Sequence, residues 1–138
     1  LWVRAAAARA LGRIGADRFG AVLAGHLKEA SDIFLLALVD VVGKASVREA
    51  LDPLLALEGH PDPEVRKTVL HALSSYDWVR VRPVVLSRLS DSHWSVRKSA
   101  TEILKQRRDP ATDLLLEQLA AADPDMTVRQ TARDALGR

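Results

Sequence analysis

Few side chains in this sequence could do chemistry, and their spacing restricts them further. None of the 138 residues is cysteine, which excludes disulfides, thiolate metal sites and a cysteine nucleophile. The four histidines stand as His26-Leu27, His60-Pro61, His71-Ala72 and His93-Trp94, in unrelated settings. A metal ion needs several convergent ligands, and an activated nucleophile needs a base within reach. Neither arrangement is legible, so the chain reads as non-enzymatic, with no metal and no cofactor. Basic residues are the richer candidates. Lys67, Lys98 and Lys105, with Arg107 and Arg108 nearby, could form a stripe for an anionic ligand such as nucleic acid, interleaved with Trp94. Glu64 and Glu102 close by favour the simpler reading of a solvated face. Trp2, Trp78 and Trp94 are expected to plug seams between elements, with base stacking as the less ordinary use.

What must position these residues is a repeat. The phrase Val96-Arg97, then Ala100, then Leu104 recurs as Val3-Arg4…Ala7…Leu11, Val65-Arg66…Val69…Leu73 and Val128-Arg129…Ala132…Leu136. A worn copy is Ile33-Phe34…Ala37…Val41. The phrases begin at residues 3, 33, 65, 96 and 128, in steps of 30, 32, 31 and 32. A fixed period of this size signals a solenoid, whose core is long and thin.

The bulk numbers agree with a folded helical chain. Hydrophobic residues make up 48% and aromatics only 4%, which favours helix over strand. Lys and Arg number 20 against 18 Asp and Glu, a balance better suited to a solvated surface than to a strong nucleic-acid footprint. No apolar run is long enough to span a membrane, and no signal peptide opens the chain. A cytoplasmic location is the expectation. One domain over residues 1–138 is the default. The chain enters its repeat at once from Leu1 and ends inside it, so we read it as a fragment of a longer array whose cut ends could self-associate.

Along the chain, residues 1–14 are predicted as the first phrase helix, with Val3, Ala7, Ala10, Leu11 and Ile14 on its buried face. Gly15-Ala16-Asp17 breaks it, and Asp17 caps a partner helix over 18–28. Ser31 or Asp32 caps the second phrase helix, and Gly43 stops it. Partner helices follow over 46–57, where Pro53 should give a kink or a displaced start, over 78–89, which Pro83 should interrupt, and over 111–121. Phrase helices follow over 64–75 and 93–106, with a last one after Asp123-Pro124-Asp125. Asp62-Pro63-Glu64 is a helix start: a cap, a proline in the first turn, and an acid for the dipole.

Thirty-residue units reading Asp-x-x-x-x-Val-Arg-x-x-Ala-x-x-x-Leu resemble HEAT-like repeats, in the short variety named after phycobilisome bilin lyases. The resemblance implies an all-α, right-handed α-solenoid of antiparallel helix pairs, with phrase helices on the concave side. It also implies a ladder of Asp and Arg between adjacent repeats. Asp91 precedes Arg97, and Asp123 precedes Arg129, at the expected distance; His60 replaces the Asp before Arg66, and Lys28 and Phe34 break the ladder in the second copy. The family's usual role is a curved surface for a protein partner. Its iron-dependent hydroxylase relatives coordinate metal through His-Glu dipeptides, which are absent here. No bilin-lyase pigment site or DNA-glycosylase catalytic motif is recognisable.

Outward columns of the phrase helices fall two, six and nine residues after the Val. They are polar in the later copies but Leu35, Val39 and Val42 in the second. Two readings stand: a partner-binding patch of Phe34, Leu35, Leu38, Val39 and Val42, or a helix buried on all sides. The expected function is a non-enzymatic scaffold that binds a protein through the concave face. Nucleic-acid or glycosylase-like binding and an enzyme-subunit role are the alternatives.

Overall fold

A computed structural model describes residues 2–138, with the side chains of Ala16, Asp17 and Asp32 outside the description. The caps expected of Asp17 and Asp32 therefore lie outside the described residues. The described chain is helical throughout, without strands. Its helices are α1 (Trp2–Gly25), α2 (Asp32–Lys44), α3 (Leu51–Ala56), α4 (Pro63–Leu73), α5 (Trp78–Arg88), α6 (Trp94–Arg107), α7 (Asp113–Ala122) and α8 (Met126–Ala135). Short 3-10 turns, Arg48–Ala50 and Pro110–Thr112, lead into α3 and α7. Where one domain over 1–138 is expected, the chain divides into two compact units, Leu1–Val81 and Arg82–Arg138.

Local chemistry sets the helix ends. Asp62 caps α4, its carboxylate accepting from the Glu64 N–H at 2.8 Å, with Pro63 in the first turn. Asp125 caps α8 by accepting from the Thr127 and Val128 N–H groups. Asp109 caps the second 3-10 turn in the same way through Ala111. Pro53 falls in the first turn of α3, where its missing N–H costs nothing, so the start is displaced and the helix is not kinked. Gly15 is extended, at φ 162°, and bends α1 into the two arms expected from the break at this residue.

In the first unit α2 packs against both α1 and α4, and α3 packs on α4. Close approach explains two glycines. A Cβ on Gly12 would collide with Val41, and one on Gly43 would lie 2.5 Å from the Ala72 Cβ. Tyr76 ties the far end: its hydroxyl donates to the Val47 carbonyl at 2.7 Å and lies 3.2 Å from that of Val42. Burial and the Glu49 charge push the Tyr76 hydroxyl up to about 12. The Ser75 hydroxyl adds a bond to the Gly43 carbonyl at 2.8 Å. In the second unit α8 packs on α6 and α7. Its core includes Val96, Ala100, Ile103, Leu104, Leu116, Val128 and Ala132, all buried.

Candidate functional site

Of the two readings of the second phrase helix, the helix buried on all sides is the one that agrees with the structure, and the exposed patch is corrected. Leu35 is 2% exposed, and Leu38, Val39 and Val42 are 0% exposed. The reason is position: α2 has α1 on one side and α4 on the other, so a helix that is apolar all round is the one that fits there. Only Phe34 stays half-buried.

The ladder residues form an interlocked set in the second unit. The Arg97 Nη1 donates to the Asp91 carbonyl at 2.9 Å, holding the guanidinium against its own loop. Its other edge grips the Asp123 carboxylate, Nε to Oδ2 at 2.8 Å and Nη2 to Oδ1 at 2.9 Å. This fork-to-fork geometry is the strong form of an ion pair. Both side chains are close to dry, 11% and 2% exposed. The Asp123 bond, opposed by burial, raises the Arg97 value above its ordinary range. Burial alone would push the Asp123 carboxyl up, but the Arg97 hydrogen bond, the Asp125 N–H and the Arg97 and Arg129 charges together hold it below the usual range. Arg129 and Arg66 repeat the inner half of this arrangement, donating through Nη1 to the carbonyls six and five residues earlier. Asp91 is buried and pairs with Arg88 at 3.2 Å. These contacts position repeats and leave the buried carboxylates no free edge for a ligand.

The basic stripe is largely neutralised where it stands. Lys67, in the first unit, pairs with Glu64 at 2.8 Å. In the second unit Lys98 pairs with Glu102 at 2.9 Å. Lys105 and Arg108 share a shallow recess with Asp113 and Asp134, and Arg107 is exposed. Trp2 and Trp94 are exposed, contrary to their expected role as seam plugs, while Trp78 is half-buried. Trp94 instead stacks beside His93, with ring centroids 6.0 Å apart. Among the described residues no three of His, Asp and Glu converge as a metal would need.

What the sequence pattern missed is on α1. Val3, Ala7 and Ile14 lie on one helical face, and that face is open: Val3 is 81% exposed, Ile14 71%, and Ala7 is exposed as well. The arm packs instead through Ala5, Ala8 and Gly12. At the matching phrase positions Val65, Val96 and Val128 are buried, as are Val69, Ala100 and Ala132. The strip continues into a cleft of about 440 Å³, lined by Ala7, Leu11, Val22, His26, Glu29 and Phe34, among others. Leu38 also borders it. Arg4, Arg9 and Arg13 surround the strip, all exposed and without an ion pair among the described residues. One signal was available: residues 1–16 contain these three Arg and no acid.

Residues 77–137 match the family described as HEAT repeats. No curated protein matches the chain. The resemblance to HEAT-like repeats is thereby shown, and the fold class is all-α of the solenoid kind; the match does not single out the bilin-lyase variety. HEAT repeats generally mediate protein–protein interaction and are typically non-enzymatic scaffolds. Among the described residues no helix is long and apolar enough to cross a membrane.

Proposed function

Since residues 77–137 match HEAT repeats, we propose that the chain is a non-enzymatic scaffold that holds a protein partner on the open face of α1. The observation that carries this reading is a contrast between like positions. Apolar residues that are buried on α4, α6 and α8 are exposed at Val3 and Ala7 on α1, beside a walled cleft. Contiguous apolar surface rimmed by charge is the usual mark of a protein contact. Phe34, of the residues singled out on the second phrase helix, contributes here as part of the cleft wall. The ladder and the paired lysines contribute rigidity, not contact chemistry.

The test is site-specific photo-crosslinking in lysate of the source organism. A benzophenone side chain at position 7 should capture one discrete protein, while the same group at the exposed position 106 should not. Equal, diffuse labelling from both positions would contradict the proposal.

A further inference from the structure

We infer that His60 is a proton-sensitive latch on the start of α4, released when its imidazole takes up a second proton. This latch is independent of the partner reading above. The ladder acids do more than pair with arginine. The Asp91 carboxylate accepts from the His93 N–H at 2.9 Å, and the Asp123 carboxylate accepts from the Asp125 N–H at 2.8 Å. Each bond comes from the residue two places on and folds the loop that leads into a phrase helix. His60 stands at the same place in its own copy of the phrase, six residues before Arg66. Its half-buried ring makes the same bond, with Nδ1 accepting from the Asp62 N–H at 3.1 Å. A backbone N–H can only donate, so this Nδ1 is the bare nitrogen and the ring carries its proton on Nε2.

Carboxylate and imidazole differ in when they can accept. A carboxylate accepts at any pH above about 4, whereas a free imidazole accepts only while neutral, above about pH 6.5. A second proton turns Nδ1 into a donor, and two N–H groups then meet where one bond stood. The same loop carries the α4 cap, since Asp62 in turn accepts from the Glu64 N–H at 2.8 Å. Arg66 donates to the His60 and Pro61 carbonyls at 2.8 and 3.0 Å, so a charged ring would share its loop with a guanidinium. The acids of this segment are Glu58, Asp62 and Glu64, and Glu64 is held by Lys67 at 2.8 Å. Of the elements packed on α4, α2 carries Asp40 and Lys44, paired at 3.0 Å, besides Asp32, whose side chain lies outside the description. The other, α3, carries Asp52, paired with Arg80 at 3.1 Å. His93 is a contrasting case. Its Nδ1 faces the Ser95 N–H at 3.3 Å, but the Ser95 hydroxyl lies 2.7 Å from the same nitrogen. A hydroxyl can donate or accept, so a protonated His93 keeps a partner. The Asp62 N–H offers His60 no such exchange.

The experiment is urea unfolding of the full chain at about pH 7.5 and about pH 5.5, either side of the imidazole range. The parent is compared with His60→Asp and His60→Asn, whose side-chain oxygens accept at both values. On acidification the parent's unfolding constant should rise about fivefold more than that of either variant, the worth of one hydrogen bond. His93→Asn should remove less of this pH effect than either His60 variant, and His26→Gln and His71→Gln should remove none of it. In amide spectra of the parent, the Asp62 N–H should move in step with the His60 ring as pH falls, while the Asp125 N–H, held by a carboxylate, stays. A pH effect in the parent no larger than in both His60 variants would overturn the assignment. So would an Asp62 amide that does not respond as the His60 ring titrates.

Discussion

The unit Leu1–Val81 and the unit Arg82–Arg138 are written in the same phrase and held together by different means. In the second, a buried bidentate pair, Arg97 with Asp123, joins α6 to the loop before α8. In the first, close backbone approach at Gly12 and Gly43 and the hydroxyl anchors of Ser75 and Tyr76 do that work. The second unit buries its phrase positions at Val96, Ala100, Val128 and Ala132, whereas the first leaves them open on α1. A repeat phrase specifies a helix with an apolar face, and its neighbours decide whether that face becomes core or stays open.

The sharpest way to break this comparison is the same substitution at the same phrase position. Val96→Asp places an unpaired charge in a dry core and should cost about 4 kcal/mol or abolish cooperative unfolding in urea. Val3→Asp should leave the urea midpoint within about 0.5 kcal/mol of the parent.

Next in size is the ladder. Asp123→Ala strands the Arg97 guanidinium and should cost about 3 kcal/mol by urea titration. The pH dependence follows from the lowered carboxyl value of Asp123. Its contribution is fully present above the unfolded carboxylate value, about 3.9, and is lost as pH falls through the lower folded value. Asp123→Asn should therefore flatten the stability–pH curve below about pH 4 relative to the parent.

Glycine contacts test the first unit. Gly43→Ala forces a methyl group against the backbone and side chain of Ala72 and should cost about 2 kcal/mol, whereas Gly25→Ala meets open space and should be neutral or gain up to about 1 kcal/mol. Tyr76→Phe should cost about 1 kcal/mol through the lost bond to the Val47 carbonyl. Smallest is Arg108→Gly. Arg108 ends α6 in the left-handed region at φ 49°, where glycine is unstrained, so melting should rise by the equivalent of about 0.5–1 kcal/mol.

Much of this fold was legible because its signals are local. The cap at Asp62, the helix start after Asp123-Pro124-Asp125, the break at Gly15 and the disturbance at Pro53 depend on a few residues each. The Arg97–Asp123 pair was legible from the family resemblance at Asp91, Arg97, Asp123 and Arg129, and the geometry adds the inner bonds to loop carbonyls. The candidate site was not legible, for a physical reason. Leu35, Val39 and Val42 allow both an exposed patch and a buried helix, and only the packing of α1 and α4 on α2 decides between them. Val3, Ala7 and Ile14 look like core, yet among the described residues no helix covers them. Periodicity reports which face of a helix is apolar; it carries no information about what lies opposite.

Hydroxyl-radical footprinting of the chain alone tests the central claim most directly, because it compares one residue type at one phrase position. Val3 should be oxidised readily while Val65, Val96 and Val128 stay protected. Protection of Val3 equal to that of Val96 would show the α1 face to be covered and would contradict the account.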